Sequence, residues 1–93
     1  MSYEFEWDAN KAEGNLRKHQ VTFNEASTVF ADPLAMLMPD PDHSVGEERH
    51  IVLGASAAGR LLVVSHAERP PRTRLISARP ATRNERQQYE QGT

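Results

Sequence analysis

Two short runs, Ile51-Val-Leu53 and Leu61-Leu-Val-Val64, are apolar at every position, on either side of Ala58-Gly59. A strand that alternates its side chains between two faces and is apolar on both has no face to offer water. The pair therefore predicts a central hairpin, closed tightly at Ala58-Gly59, that must be covered above and below. Helices can cover one face. The other needs loops, the terminal helix or a partner protein.

The rest of the chain supplies the flanking elements. Tyr3, Phe5 and Trp7 alternate with Glu4, Glu6 and Asp8, the pattern of a short strand with one buried face. Asp8 is placed to cap a helix reaching Lys18 or His19, which Gly14 weakens. Thr22-Phe-Asn-Glu25 has capping-box spacing, with Val21 in position to staple the first turn, and Asp32-Pro33 ends the apolar stripe Phe23, Ala26, Val29, Phe30. A strand is expected over Leu34–Met38, a turn at Pro39-Asp-Pro-Asp42, an exposed loop over His43–Glu47, and strands near Arg49–Ser56, Arg60–Ala67 and Arg72–Arg79, the last two linked by Pro70-Pro71. Thr82-Arg-Asn-Glu85 is a second capping box, opening a helix that runs to Tyr89 or Glu90. The order β-α-α-β-β-β-β-α with short connections predicts an α+β domain spanning residues 1–93, a largely antiparallel sheet packed by helices.

Charge is divided unevenly along this frame. Residues 1–47 hold nine carboxylates against Lys11, Arg17 and Lys18, whereas residues 48–93 hold eight arginines against four glutamates. Six of those arginines (Arg69, Arg72, Arg74, Arg79, Arg83 and Arg86) fall within eighteen residues. A formal charge of −2 thus conceals a polarised molecule, suited to a polyanion on one side. Solvated strand and helix faces would account for the same arginines. The absence of cysteine excludes disulfides and thiolate metal sites and fits a reducing cytoplasm. No apolar run is long enough to span a membrane, and the acidic N-terminus does not read as a signal peptide.

No histidine pair has helical metal-ligand spacing, and there is neither a glycine-rich phosphate loop nor a serine nucleophile elbow. No metal or cofactor is expected. The available parts suit RNA strand cleavage without metal, which needs a base, a stabiliser for the pentavalent phosphorus and an acid for the leaving oxygen. His19, His43, His50, His66, Glu48 and Tyr89 are the titratable candidates. Each has a plainer role: His19 ends a helix where a cation meets the dipole, His66 sits in an apolar strand, Glu48 and Arg49 suit a surface ion pair, and Tyr89 suits packing.

The words Phe5-Glu6-Trp7-Asp8, Asn15-Leu-Arg-Lys-His19, Val21-Thr-Phe23 and Phe30-Ala-Asp-Pro33 closely resemble the BrnT family, toxins of type II toxin–antitoxin systems. The likeness continues through Glu47-Glu-Arg49, Gly59-Arg-Leu-Leu-Val-Val64, Arg74-Leu-Ile-Ser-Ala-Arg79 and Glu85-Arg86 to Tyr89. It implies a fold similar to the RelE and ParE toxins, metal-independent RNA cleavage that arrests translation and growth, and a BrnA-like antitoxin carrying a ribbon-helix-helix region. Operator DNA would be reached only through that antitoxin, and the RNA would be cut either free or on the ribosome.

By this resemblance Arg79 holds the scissile phosphate, Glu48 is or orients a base, Arg49 binds phosphate, and His19 leads the acid/base candidates, with Tyr89 second. Arg69, Arg72, Arg74, Arg83 and Arg86 are expected to contact RNA. Gln20 replaces the glycine common after the family's Lys-His, so the corner there must avoid a glycine-only conformation or accept strain. Two other readings stay open: a non-catalytic partner of a ribbon-helix-helix DNA-binding protein, and a gyrase poison by analogy with ParE.

Overall fold

The structure, a computed structural model, describes residues 4–40 and 49–92. The expected turn after Pro39 and loop over His43–Glu47, together with Glu48, fall largely or wholly outside these. The elements are β1 (Phe5–Glu6), α1 (Ala9–His19), α2 (Phe23–Ser27) continued by a 3-10 turn at Thr28–Ala31, β2 (Met36–Pro39), β3 (Arg49–Ala55), β4 (Leu61–Arg69), β5 (Arg72–Pro80) and α3 (Arg83–Gln91). They form a five-stranded sheet of order β1-β5-β4-β3-β2. Only the short β1–β5 pair is parallel.

The two-sided central strands are covered as their composition demands. On one face Val52, Leu62, Val64, Leu75 and Ala78 pack under α1 and α2 with Val21, Phe23, Ala26 and Val29. Burying each large side chain there contributes about 1.5–3 kcal/mol before the entropy of ordering is set against it. On the other face Leu53, Leu61 and Val63 form a smaller cluster, closed by Met36, Met38, Ile51, Ala81 and Tyr89. The terminal helix thus covers only one end of that second face.

The first cap forms as expected: Asp8 accepts the Lys11 N–H at 2.9 Å. The chain then leaves α1 through Gln20 at φ 59°, in the left-handed region, so this corner does accept the strain that a glycine would avoid. Asn15 anchors the helix. Its amide donates to the carbonyls of Val21 and Ala78 at 3.0 and 2.9 Å and accepts the Ala78 N–H at 3.0 Å. A buried side chain here serves a stretch of β5 that β1 is too short to pair.

The Thr22 box is only half built. Thr22 accepts the Glu25 N–H at 3.0 Å, but the Glu25 carboxylate turns instead to Arg60 Nε at 2.9 Å and Ser56 Oγ at 2.8 Å. The Arg60 hydrogen bond leads the effects that hold its carboxyl below the usual range, against the opposing cost of burial. Arg60 also donates to the Gln20 carbonyl at 3.0 Å. This network ties the β3–β4 hairpin, turned at Gly59 with φ 85°, to the α1–α2 corner. The Thr82 box is complete, with reciprocal bonds between Thr82 and Glu85.

Candidate functional site

The second sheet face changes character along its length. Beyond the apolar cluster under α3 lies a cleft of about 350 Å³, lined by Arg49, Ser65, Ile76, Ser77, Arg79 and Asp40 with Ile51 and Val63. Arg49 enters it from the start of β3 and Arg79 from the end of β5, although thirty residues separate them in sequence.

Strict alternation would put Arg79 and Arg74 on opposite faces of β5. They share a face because the β4–β5 register slips at Ser65/His66: Ser65 stands opposite Ser77, yet His66 stands opposite Leu75. The extra residue, Ile76, shifts the parity of the rest of β5. Arg74 and Arg72 thereby join Arg79 on the second face. Across the strands Arg49 pairs with Ala67 and Ala67 with Arg74, while Arg69 pairs with Arg72. Ala67 is fully buried in the row between two arginines. Glu6 is in register with Arg74 on β1 and lies 4.0 Å from both Arg69 and Arg72.

Arg79 is already engaged. Its two terminal nitrogens donate to the two Glu85 oxygens at 2.8 Å each, a bidentate pair that joins β5 to the first turn of α3. The Arg79 hydrogen bond is the main reason the Glu85 carboxyl falls to about 2; burial acts against it, and the Thr82 N–H adds to the lowering. Any phosphate reaching Arg79 must share this fork or displace the carboxylate.

The remaining candidates are dispersed. His19 closes α1, which packs on the opposite face, so it does not line the cleft. Tyr89 sits on α3 against the second cluster, but its hydroxyl donates to Asp32 Oδ2 at 2.6 Å. That hydrogen bond, with burial, raises the phenol pKa. Asp32 is an organising centre that sequence inspection passed over. Burial opposes its ionisation, but hydrogen bonds from Ala55 N–H, Tyr89 and Leu34 N–H outweigh it and hold the carboxyl low. Gly54 lies beside it, and a Cβ there would stand 2.9 Å from Val29 Cγ1.

Arg83 and Arg86 are exposed on α3. Ser65 and Ser77 were also missed; they offer hydroxyls between Arg49 and Arg79, and only the observed register reveals them. His66 is almost wholly buried on the first face, its ring edge-on to Phe30 with centroids 4.9 Å apart. Among the described residues no cluster of three or more histidines or carboxylates could hold a metal ion, and no helix is long and apolar enough to cross a membrane.

Comparison with known proteins agrees with this architecture. The crystal structure of the Brucella abortus ribonuclease toxin BrnT superposes with a TM-score of 0.69 at 19 % identity, covering 88 % of this chain and 100 % of that one. At that identity the likeness speaks for the mixed five-stranded fold. No curated protein matches the chain. A family model described as the ribonuclease toxin BrnT of type II toxin–antitoxin systems matches residues 7–85. The chain therefore belongs to the BrnT ribonuclease-toxin family of type II toxin–antitoxin systems, which implies an antitoxin partner.

Proposed function

We propose that this chain is a cytoplasmic, metal-independent endoribonuclease that arrests growth by cutting RNA, and that a BrnA-like ribbon-helix-helix antitoxin silences it by covering the arginine face. The observation that carries the reading is the convergence of Arg49 and Arg79 on one cleft that no described helix packs over. Guanidinium groups remain charged at any working pH and match the geometry of phosphate oxygens.

In the reaction the 2′-oxygen attacks the adjacent phosphorus while a base removes its proton. The P–O5′ bond breaks and an acid protonates the departing oxygen, leaving a 2′,3′-cyclic phosphate and a 5′-hydroxyl. Arg49 and Arg79 neutralise the equatorial oxygens as charge builds there. Glu48, next to Arg49 in sequence, is assigned the base. His19 is assigned the acid, a role that requires RNA to reach round the β5 edge toward α1. Tyr89 acts through Asp32, bracing α3, rather than on the substrate. Operator DNA is met only through the antitoxin.

A specific observation favours a second reading. The Arg79 fork is filled by Glu85, as expected if the chain is a non-catalytic partner whose arginines serve structure and antitoxin binding. RNA 5′-end mapping after brief induction without antitoxin decides between them, with an Arg49→Ala control matched for soluble protein. New discrete ends that disappear in Arg49→Ala establish cleavage through this cleft. Abundant soluble protein with no new ends establishes the partner reading instead.

A further inference from the structure

The arginines of the second face extend well past the cleft along β5. Arg72 and Arg74 occupy alternate positions of β5, about 6.6 Å apart at the rise of an extended strand. Arg69 stands opposite Arg72, and Arg49 stands across Ala67 from Arg74. Arg79 continues the line into the cleft. The bulge at Ile76 keeps the three on one face, since without it Arg79 would face away from the other two.

A carboxylate stands at the far end. Glu6 projects from β1 in register with Arg74, its oxygens 4.0 Å from Arg69 and from Arg72, which are 53 % and 56 % exposed. Ion pairs this open to water contribute little to stability. They do change local potential, because a carboxylate between two guanidinium groups cancels attraction for a phosphate arriving there.

We infer that single-stranded RNA lies along β5, with neighbouring phosphates on Arg72 and Arg74 and a further one, about two nucleotides on, at Arg79, and that Glu6 weakens the far end of this track and so limits how many nucleotides are held. The inference rests on the ribonuclease reading and deepens it by naming the form of the substrate and its path. An extended single strand can place successive phosphates on one sheet row. A duplex presents two strands and follows a helical course across the row, so it meets fewer of these arginines at once.

Binding of a fluorescent 2′-O-methyl oligoribonucleotide to the purified full chain tests this, because the blocked 2′-oxygen prevents cleavage. For single strands the logarithm of the association constant falls with the logarithm of salt concentration by about 0.7 per phosphate neutralised. Glu6→Gln is expected to tighten binding several-fold and to steepen this slope by about 0.7 to 1.4, one or two further phosphates. Adding Arg72→Ala to Glu6→Gln removes about 0.7 of that gain. The same sequence annealed to its complement binds more weakly and shows no response to Glu6→Gln.

Equal binding of duplex and single strand overturns the track, as does a slope that Glu6→Gln leaves unchanged. Either result can stand beside intact RNA cleavage in the end-mapping experiment, so the track can fail while the ribonuclease reading survives. Failure to bind the oligonucleotide at low salt removes the track, and absence of new RNA ends removes the ribonuclease.

Discussion

Arg79 and Glu85 meet through two parallel hydrogen bonds of 2.8 Å, and Glu85 Oε1 also accepts the Thr82 N–H at 2.8 Å. One carboxylate thus completes a helix cap and ties the last strand to the last helix. Its folded-state pKa of about 2 lies below the ordinary 4.5, so the unfolded chain binds the proton more readily. The stabilisation is complete above pH 4.5 and disappears as the pH falls toward 2. It amounts to about 1 to 2 kcal/mol once screening at the partly exposed guanidinium is allowed for. Urea melts across this window should show the loss in the wild type and a flatter profile in Glu85→Gln. Equal profiles would mean that the pair is worth nothing in solution.

His66 governs a second window, nearer neutrality. Burial is the chief cause of its lowered pKa; Glu68, 3.7 Å from Nε2, acts in the opposite sense, and His50, stacked at 5.9 Å, adds to the lowering. Here the unfolded state takes up a proton near pH 6.5 while the native state resists. Stability is therefore full above that pH and declines below it, by at most about 1.4 kcal/mol per pH unit for one proton. His66→Gln should remove most of this slope whatever it does to absolute stability. A slope left intact in the variant would assign the titration to another group.

Gln20 tests whether corner strain is stored or relieved. A non-glycine residue in the left-handed region costs about 1 kcal/mol or more, and glycine returns part of that through its greater freedom in the unfolded chain. Gln20→Gly should stabilise the fold by up to about 1 kcal/mol. The Arg60 bond to this residue uses its backbone carbonyl and survives the change. A lower melting temperature would show that the Gln20 side chain contributes more than its backbone costs.

These relationships mark where sequence stops being informative. Local rules place the hairpin at Gly59, the caps at Asp8, Thr22 and Thr82, and the need to cover both faces of Ile51–Leu53 and Leu61–Val64. The other half of the Thr22 box could not be read, because Glu25 prefers Arg60, thirty-five residues away and brought near only by the sheet. Asn15 and Asp32 look like ordinary polar residues until their partners at Ala78, Ala55 and Tyr89 are in place. For the site, composition identifies the arginines but not their face. Alternation along β5 separates Arg79 from Arg72 and Arg74, and a single bulged residue reunites them. His19 fails to join the cleft because the helix it closes packs on the opposite face of the sheet, which its place in the sequence does not reveal.

Tyr89 and Arg49 should separate when stability and cleavage are measured on the same variants. Tyr89→Phe keeps the ring on the second cluster and loses only the 2.6 Å bond to Asp32, which costs about 1 to 2 kcal/mol for a charged acceptor. Asp32 still accepts the N–H groups of Ala55 and Leu34, so the corner beside Gly54 persists. Single-turnover RNA cleavage per folded molecule should then stay within about twofold of wild type. Arg49→Ala should do the reverse, leaving the urea midpoint nearly unchanged while cleavage falls by about 10²-fold or more, the scale expected for a lost charge stabiliser in the transition state. A hundredfold loss in folded Tyr89→Phe would put the hydroxyl in the chemistry and move the reacting phosphate toward α3. Undiminished cleavage in Arg49→Ala would take the chemistry out of this cleft.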